Sequence, residues 1–387
     1  MLDRHTLIIP TRNRQVLLRR LVRHFHGLPS GAKLLVLDSS DPEIASANAA
    51  AMSFYGSALR HVIYPATTSP AVKFAQGLTL VDTPYVSFCG DDDLVFVDAL
   101  RMAVEFLEAH PDYACAHGLY INFREDGNDL HVMREYAGPS IEANAWGGRV
   151  FRLLQKYESL FYAVFRTADL GQISAAMQAM PSLLFQELFQ SVAALIKGKV
   201  KRLPVVYAAR QTNPPVDSKR DRWQTYYWFA EQPRELIEHY RSYCDELWRF
   251  YEAHSAPRVE KDAFFKVLDV CHSVYFAAAC PPEYFYSALK KYWPEDPYED
   301  VASVDLFNES HSFRMPGIER HGRALRIMQY AIDAVYSAPH IALLNLRSRM
   351  TTGRPWKCRL PYSQRRLAAV GAFRSGYLQL CRYMSAQ

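Results

Sequence analysis

The sequence predicts an α/β protein: a mainly parallel sheet flanked by helices in residues 1–212, followed by a mostly α-helical region over 213–387. Three observations carry this expectation. Apolar strand-like runs alternate with amphipathic helical stretches up to about residue 120, the order that builds a parallel sheet with right-handed crossovers. Three adjacent acids, Asp91, Asp92 and Asp93, directly follow the apolar run Tyr85-Val86-Ser87-Phe88-Cys89-Gly90. Past Gln211-Thr212-Asn213-Pro214-Pro215-Val216-Asp217-Ser218, where two prolines among polar residues stop both periodicities, hardly a strand signal remains.

The elements follow in order. Thr6–Pro10 is an apolar first strand. Gln15–His26 carries Val16, Leu17, Leu18, Leu21, Val22 and Phe25 at helical spacing. Lys33–Leu37 is a second strand ending at Asp38-Ser39-Ser40, then a helix spans Glu43–Met52 and a third strand Leu59–Tyr64. Ala71–Leu80 reads as a helix and Tyr85–Cys89 as the strand before the acids. Asp98 is the cap candidate of a helix to His110, which Pro111 stops. A further strand begins at Tyr113–Gly118, and beyond about residue 120 only Phe161–Arg166, a helix over Pro181–Ile196 and a last strand over Val200–Ala209 stand out. In the second region, Trp223–His254, Val259–Ala279, Pro282–Tyr292 and Arg320–Ser337 have helical periodicity.

Composition narrows the class. A chain of 387 residues exceeds the usual size of one hydrophobic core, which suggests two domains. A net charge of +5 does not point to nucleic acid, but fits a substrate that carries phosphates. The seven cysteines are odd in number and without a C-x-x-C pair, so neither a zinc site nor a disulfide framework is indicated and reduced thiols are expected. Thr6-Leu7-Ile8-Ile9-Pro10 is too short for a signal-peptide core. No stretch approaches the ~20 apolar residues of a membrane-spanning helix, and the cytoplasm is the expected compartment.

The acid cluster is the chemical signal. Gly90 ends the apolar run, so the carboxylates should stand at the carboxyl edge of the sheet, where open α/β sheets bind ligands. Two unit charges ~4 Å apart repel by about 4 kcal/mol at an effective dielectric near 20. A divalent cation relieves that repulsion, and carboxylate oxygens suit Mg2+ or Mn2+. A solvated acidic turn or a helix cap is the alternative.

Ile8-Ile9-Pro10-Thr11-Arg12-Asn13-Arg14, Leu35-Val36-Leu37-Asp38-Ser39-Ser40 and Phe88-Cys89-Gly90-Asp91-Asp92-Asp93 occur in this order, each at a strand end. Together they resemble the nucleotide-sugar-binding half of GT-A glycosyltransferases of the family 2-like group, most nearly a bacterial subgroup with a triple-Asp motif. The resemblance covers about residues 1–212. It implies a Rossmann-like GT-A sheet and inverting, metal-dependent transfer of a sugar from a nucleoside-diphosphate donor. It leaves the acceptor open among a glycan, a lipid-linked glycan and a protein, and bacterial surface polysaccharide or glycoconjugate synthesis is the setting it suggests.

Site residues follow from the resemblance one by one. The loop after the first strand lines the nucleotide, placing Pro10, Thr11, Asn13 and Arg14 there; capping of the next helix is the other reading of Thr11 and Asn13. Asp38 matches the acid that holds the base, or serves a turn with Ser39 and Ser40. Asp91 and Asp92 fall where the family binds donor, and Asp91 with Asp93 matches its metal-holding Asp-x-Asp, with Asp92–Asp93 as an alternative register. Lys73 lies where a basic residue approaches the diphosphate, unless it sits on a solvated helix face. His117 is placed toward the cleft and Arg210 toward diphosphate oxygens, against a core histidine and a surface arginine.

Glu187 matches the general base. It is the sole carboxylate between Asp169 and Asp217 and lies among apolar neighbours, although Gln186 stands where the family often has a second acid. A solvated helix glutamate is the other reading. Trp223, Tyr226, Tyr227, Trp228 and Phe229 could stack on sugars or pack a core. From Ile341 onward there is no Asp or Glu but nine Arg or Lys; this basic stretch suits an anionic inner-membrane surface, a phosphorylated acceptor, a homodimer contact or plain solvent. A nucleotidylyltransferase is disfavoured, since Thr11-Arg12-Asn13-Arg14 has none of the glycines such a loop needs. An inactive binding protein with the same fold is the third class.

Overall fold

The computed structural model describes residues 2–28, 31–180, 182–212, 233–255, 259–279 and 316–385. The segment 213–232, with the domain boundary and the aromatic stripe expected there, and the helix expected at Pro282–Tyr292 lie outside the described residues.

At the centre is a sheet with the order β10-β7-β6-β8-β4-β1-β2-β3, with β9 beside β6 and β5 beside β9. Its first half is parallel, as expected: β1 (His5–Thr11) lies between β2 (Lys33–Asp38) and β4 (Tyr85–Phe88), and β2 pairs with β3 (Leu59–Ile63). β1, β2 and β4 read as largely apolar runs because both faces are covered, whereas the edge strand β3 is half-exposed. Leu7 and Ile9 of β1 enter one core cluster and Ile8 the other, the period of two expected of a strand. The cluster with Leu7 takes in α1 (Gln15–His26) and α4 (Val97–Ala109); the opposite one takes in α3 (Pro70–Leu78), with α2 (Pro42–Met52) following β2.

The second half is mixed and departs further from the sequence expectation. β6 runs over Tyr113–Asp126 and turns through Gly127-Asn128 into β7 (Asp129–Arg134), pairing Asp126 with Asp129. Gly127 has φ +59°, the left-handed conformation that a two-residue hairpin loop favours. α5 (Trp146–Gln155) and α6 (Thr167–Met177) were not expected, and β8 is only Val164–Arg166, since Phe161 and Tyr162 lie in the turn before it. α7 (Leu183–Lys197) and β9 (Lys199–Gln211) lie close to expectation, with Ser182 capping α7 through the Phe185 amide. The short β5 (Leu94–Val95) pairs with β9 at the end of the acid turn. Asp98 is not the cap of α4. Phe96 holds that position, and Asp98 lies in the first turn 2.9 Å from Arg101.

The described later segments do not form a core apart from the sheet. α8 (Pro233–His254) and α9 (Lys261–Ala279) place Tyr243, Leu247, Phe264 and Leu268 in the cluster that also holds Phe185 and Leu188 of α7. On the other face, α10 (Pro316–Thr352) leads to β10 (Lys357–Arg359), which adds a strand beside β7 in a region expected to be helical. α11 (Gly371–Ser385) buries Tyr377, Leu380, Tyr383 and Met384 with Val206 and Tyr207 of β9. Arg354 and Arg359 of the acid-free stretch pair with Glu125 and Asp129 of the hairpin, and Arg366 pairs with Asp333. The described cysteines are buried and free.

α11 approaches β9 so closely that a Cβ on Gly376 would stand 2.7 Å from Val206 Cβ. Gly376→Ala is therefore expected to destabilise the protein by about 1–3 kcal/mol, as overpacking of a filled core does. Chemical denaturation against the parent checks this.

Candidate active site

The site forms where β1 and β4 end side by side. Thr11 closes β1 opposite Asp38 on β2, and the acid turn leaves β4 through Gly90. The turn is tight at this glycine: a Cβ on residue 90 would lie 2.9 Å from the Tyr162 hydroxyl and 3.0 Å from Asp92 Oδ1, so those side chains would have to shift to admit one. The turn closes with the Asp93 amide donating to the Gly90 carbonyl at 3.2 Å.

The three carboxylates are held separately. Thr11 Oγ1 donates to Asp91 Oδ2 at 2.7 Å, and Arg14 Nη1 donates at 2.9 Å both to Asp91 Oδ1 and to Asp92 Oδ2. Asp93 faces the other way, accepting from the Tyr162 hydroxyl and, at 2.8 Å, from the Gln211 amide, with Arg210 Nε 4.0 Å off. Burial pushes Asp91 up to about 6, helped by the charge of Asp92 and opposed by Arg14 and Thr11. Burial and Asp92 push Asp93 up to about 7 against the pull of Arg210, Tyr162 and the Gln211 amide. The structure thus brings Asp91 and Asp92 together around one positive charge, and it does not bring Asp93 to that point.

Lys73 is buried on α3, donating to Ser39 Oγ at 2.9 Å and approaching the Thr11 carbonyl at 3.4 Å. Burial lowers it to about 8, with Asp38 and Asp91 pulling upward. A solvated helix face does not describe it. Asp38 is fully enclosed and absent from the cavity wall; it accepts from the Ser40 amide and Asn48 Nδ2, both at 2.8 Å, and meets His61 Nε2 at 3.1 Å. Burial raises it, but these hydrogen bonds win and hold it near 2. Asn13 does not cap α1. Its backbone is left-handed (φ 54°), its amide donates to Ser40 Oγ at 2.8 Å, and its side chain bonds Asp41 in both directions. It joins the β1 loop to the β2 loop.

In front of these groups lies a cavity of about 410 Å³, a size suited to a small ligand. Pro10, Thr11, Arg14, Lys73, Asp91 and Arg210 border it from the sheet edge. α7 closes it from the opposite side with Leu183, Gln186, Glu187 and Gln190, spaced i, i+3, i+4 and i+7 and so on one face. Glu187 Oε1 accepts from the Tyr157 hydroxyl at 3.1 Å, which also meets Ser191 Oγ at 3.2 Å. Phe74, Phe161 and Met177 give the wall an apolar part. Two groups on this wall are buried without a polar partner: the Gln190 carboxamide and the Tyr120 hydroxyl.

The expectation that His117 faces the cleft is corrected. It is buried behind the wall between Tyr120 and Tyr207, and burial, with the charge of Arg202, holds it well below the usual histidine range. The strand from Tyr113 continues past Gly118, so residue 117 is mid-strand and not at a strand end. Arg12, Tyr157, Tyr162 and Gln190 escaped the sequence reading. The arginine lay inside a quoted motif, the tyrosines lie in segments that periodicity did not define, and Gln190 lies on the expected α7 with no motif to mark it.

Raising a folded-state pKa above its unfolded value means that ionisation costs stability. For Asp93 the penalty is absent below about 4 and grows until the pH passes about 7. The melting temperature of Asp93→Asn minus that of the parent should therefore rise across that window and level off above it. Calorimetry in metal-free buffer checks this.

No match is found among characterised proteins. Solved structures similar to the chain include S. aureus TarS 1–349 in complex with UDP-GlcNAc (14% identity, 74% of this chain and 80% of that one, TM-score 0.46). Mannosyltransferase PcManGT from Pyrobaculum calidifontis in complex with GDP-Man and Mn2+ is another (14% identity, 81% of each chain, TM-score 0.47). Residues 6–168, which contain all three strand-end motifs, match the family model described as glycosyl transferase family 2. Over residues 6–168 the chain is accordingly similar to family 2 glycosyl transferases.

Proposed function

We propose that the protein transfers a sugar from a nucleoside-diphosphate donor to an acceptor hydroxyl with inversion, assisted by Mn2+ or Mg2+. The observation that carries this reading is the single cavity that sets Thr11, Arg14, Lys73 and Asp91 across from Glu187. One wall is basic and acidic in the pattern a metal–diphosphate pair needs; the other supplies a carboxylate.

The metal fits the donor set. Asp91 and Asp92 are hard oxygen ligands that already converge on a cationic nitrogen, Arg14 Nη1, at 2.9 Å each. These two would hold the ion, which when bound offsets the charge that develops on the departing diphosphate. Asp93, turned to Tyr162 and Gln211, positions the turn. Lys73 and Arg210 offer positive charge to the diphosphate oxygens, and Thr11 and Pro10 border the nucleotide. Asp38 supports that border from within by fixing Ser40, which in turn receives the Asn13 amide.

Glu187 accepts the proton of the attacking hydroxyl, with Tyr157 directing Oε1. The acceptor is a glycan, a lipid-linked glycan or a protein. Among the described residues no helix is long and apolar enough to cross a membrane.

Two measurements test the reading. UDP, GDP, CMP or TDP should raise the melting temperature only with Mn2+ or Mg2+, by an amount equivalent to about 2.7 kcal/mol at a hundredfold excess over Kd, and Asp91→Asn should abolish the response. No response to any nucleotide would favour an inactive binding protein. Glu187→Gln should lower kcat by about 10²- to 10⁴-fold while donor affinity stays unchanged. Unchanged turnover would remove Glu187 from the mechanism.

A further inference from the structure

Gln190 is the group on the cavity wall with the most to gain from a ligand. It is 1% exposed, borders the cavity, and neither Nε2 nor Oε1 has a hydrogen-bond partner. Leaving one buried polar atom unpaired costs about 1–3 kcal/mol, so an unpaired carboxamide is a standing expense in the ligand-free protein. Apolar residues dominate the neighbouring positions of α7: Phe189, Val192, Ala193 and Ala194 are all fully buried. A glutamine among them serves packing poorly.

Its place on the helix says what it meets. Glu187 is three residues earlier on the same face, which puts the two Cβ atoms about 5–6 Å apart. In the reaction above, the Glu187 carboxylate stands beside the hydroxyl that attacks the anomeric carbon. A group one helical turn further along reaches the ring substituents next to that carbon. We propose that Gln190 reads the transferred sugar: Nε2 donates to one ring substituent near the anomeric carbon, and Oε1 accepts from the hydroxyl of its neighbour. Vicinal sugar substituents offer that donor–acceptor pair together, whereas the nucleotide and diphosphate are met by the sheet edge. The inference rests on the glycosyltransferase reading and assigns the sugar subsite within it.

The test separates the sugar from the nucleotide. Gln190→Met keeps the length of the side chain and removes both polar atoms. By titration calorimetry with Mn2+, the parent and the variant are compared on UDP, GDP, UDP-glucose, UDP-N-acetylglucosamine and GDP-mannose. The expected result is a nucleoside diphosphate affinity within twofold of the parent and a nucleotide-sugar affinity about 10- to 100-fold weaker, the loss from one or two buried hydrogen bonds. Without ligand, Gln190→Met should melt higher than the parent, because two unpaired buried atoms are gone.

Equal weakening of nucleotide and nucleotide-sugar, or no weakening of either, overturns the proposal. So does a lower melting temperature, which would give Gln190 a structural role. An effect confined to acceptor KM also overturns it, by moving Gln190 to the acceptor. If the parent binds no nucleoside diphosphate at all, the glycosyltransferase reading itself fails, a result distinct from each of these.

Discussion

Three neighbouring carboxylates in one tight turn, two of them nearly without solvent, set the constraint that the rest of the site meets. Repulsion at such spacing exceeds what a surface turn bears once water is excluded. The protein answers by dividing the acids: Asp91 and Asp92 share the Arg14 guanidinium, while Asp93 is rotated to Tyr162, Gln211 and Arg210. Each partner comes from a different part of the chain. Arg14 begins α1, Tyr162 precedes β8, and Gln211 ends β9. Placing the acids therefore requires the parallel half, the mixed half and the crossing between them to be in place together.

The same division explains why the site is poised for ligand. Asp91 and Asp93 ionise at higher pH than free carboxyls because burial outweighs their partners, while Lys73 loses its proton more readily for the same reason. Opposite charges held in a poorly solvated cleft are costly until a ligand completes them. Such a site trades stability for binding, the usual balance at functional sites. Asp38 shows the contrary case, a buried carboxylate satisfied by three donors and held ionised near the base of the cleft.

Legibility in the sequence followed the physics of each segment. The strands β1, β2 and β4 are apolar on both faces, with turn chemistry at their ends, and their positions could be read to within a residue or two. That is why Thr11, Arg14 and Asp91 could be placed at one sheet edge from the sequence, whereas Lys73, on α3, was assigned through the family resemblance alone. Beyond residue 120 the elements alternate less clearly. β6 carries charged residues at its exposed end, α5 opens Trp146-Gly147-Gly148, and β10 is three residues long. His117 was misplaced because Gly118 looked like a strand end, whereas it lets β6 pass β9: a Cβ there would lie 2.5 Å from the Val205 carbonyl oxygen. Tyr157, Tyr162 and Gln190 gain their meaning from tertiary neighbours that no local pattern encodes.

The final helix reaches further than its distance from the site suggests. Tyr383 lies under the Arg20 guanidinium, 4.4 Å from the ring centre; Arg20 donates to Gln211 Oε1 at 2.6 Å, and the Gln211 amide holds Asp93. Residues near both ends of the chain thus meet at the strand that fixes the acid turn. During synthesis the first strands leave the ribosome long before α11 is made, and contacts of such sequence separation form slowly. Until α11 is made, Arg20 lacks its Tyr383 partner, and with it the support that reaches Asp93 through Gln211. The geometry of the acid turn is in this sense sensitive to changes in a helix far from it in sequence.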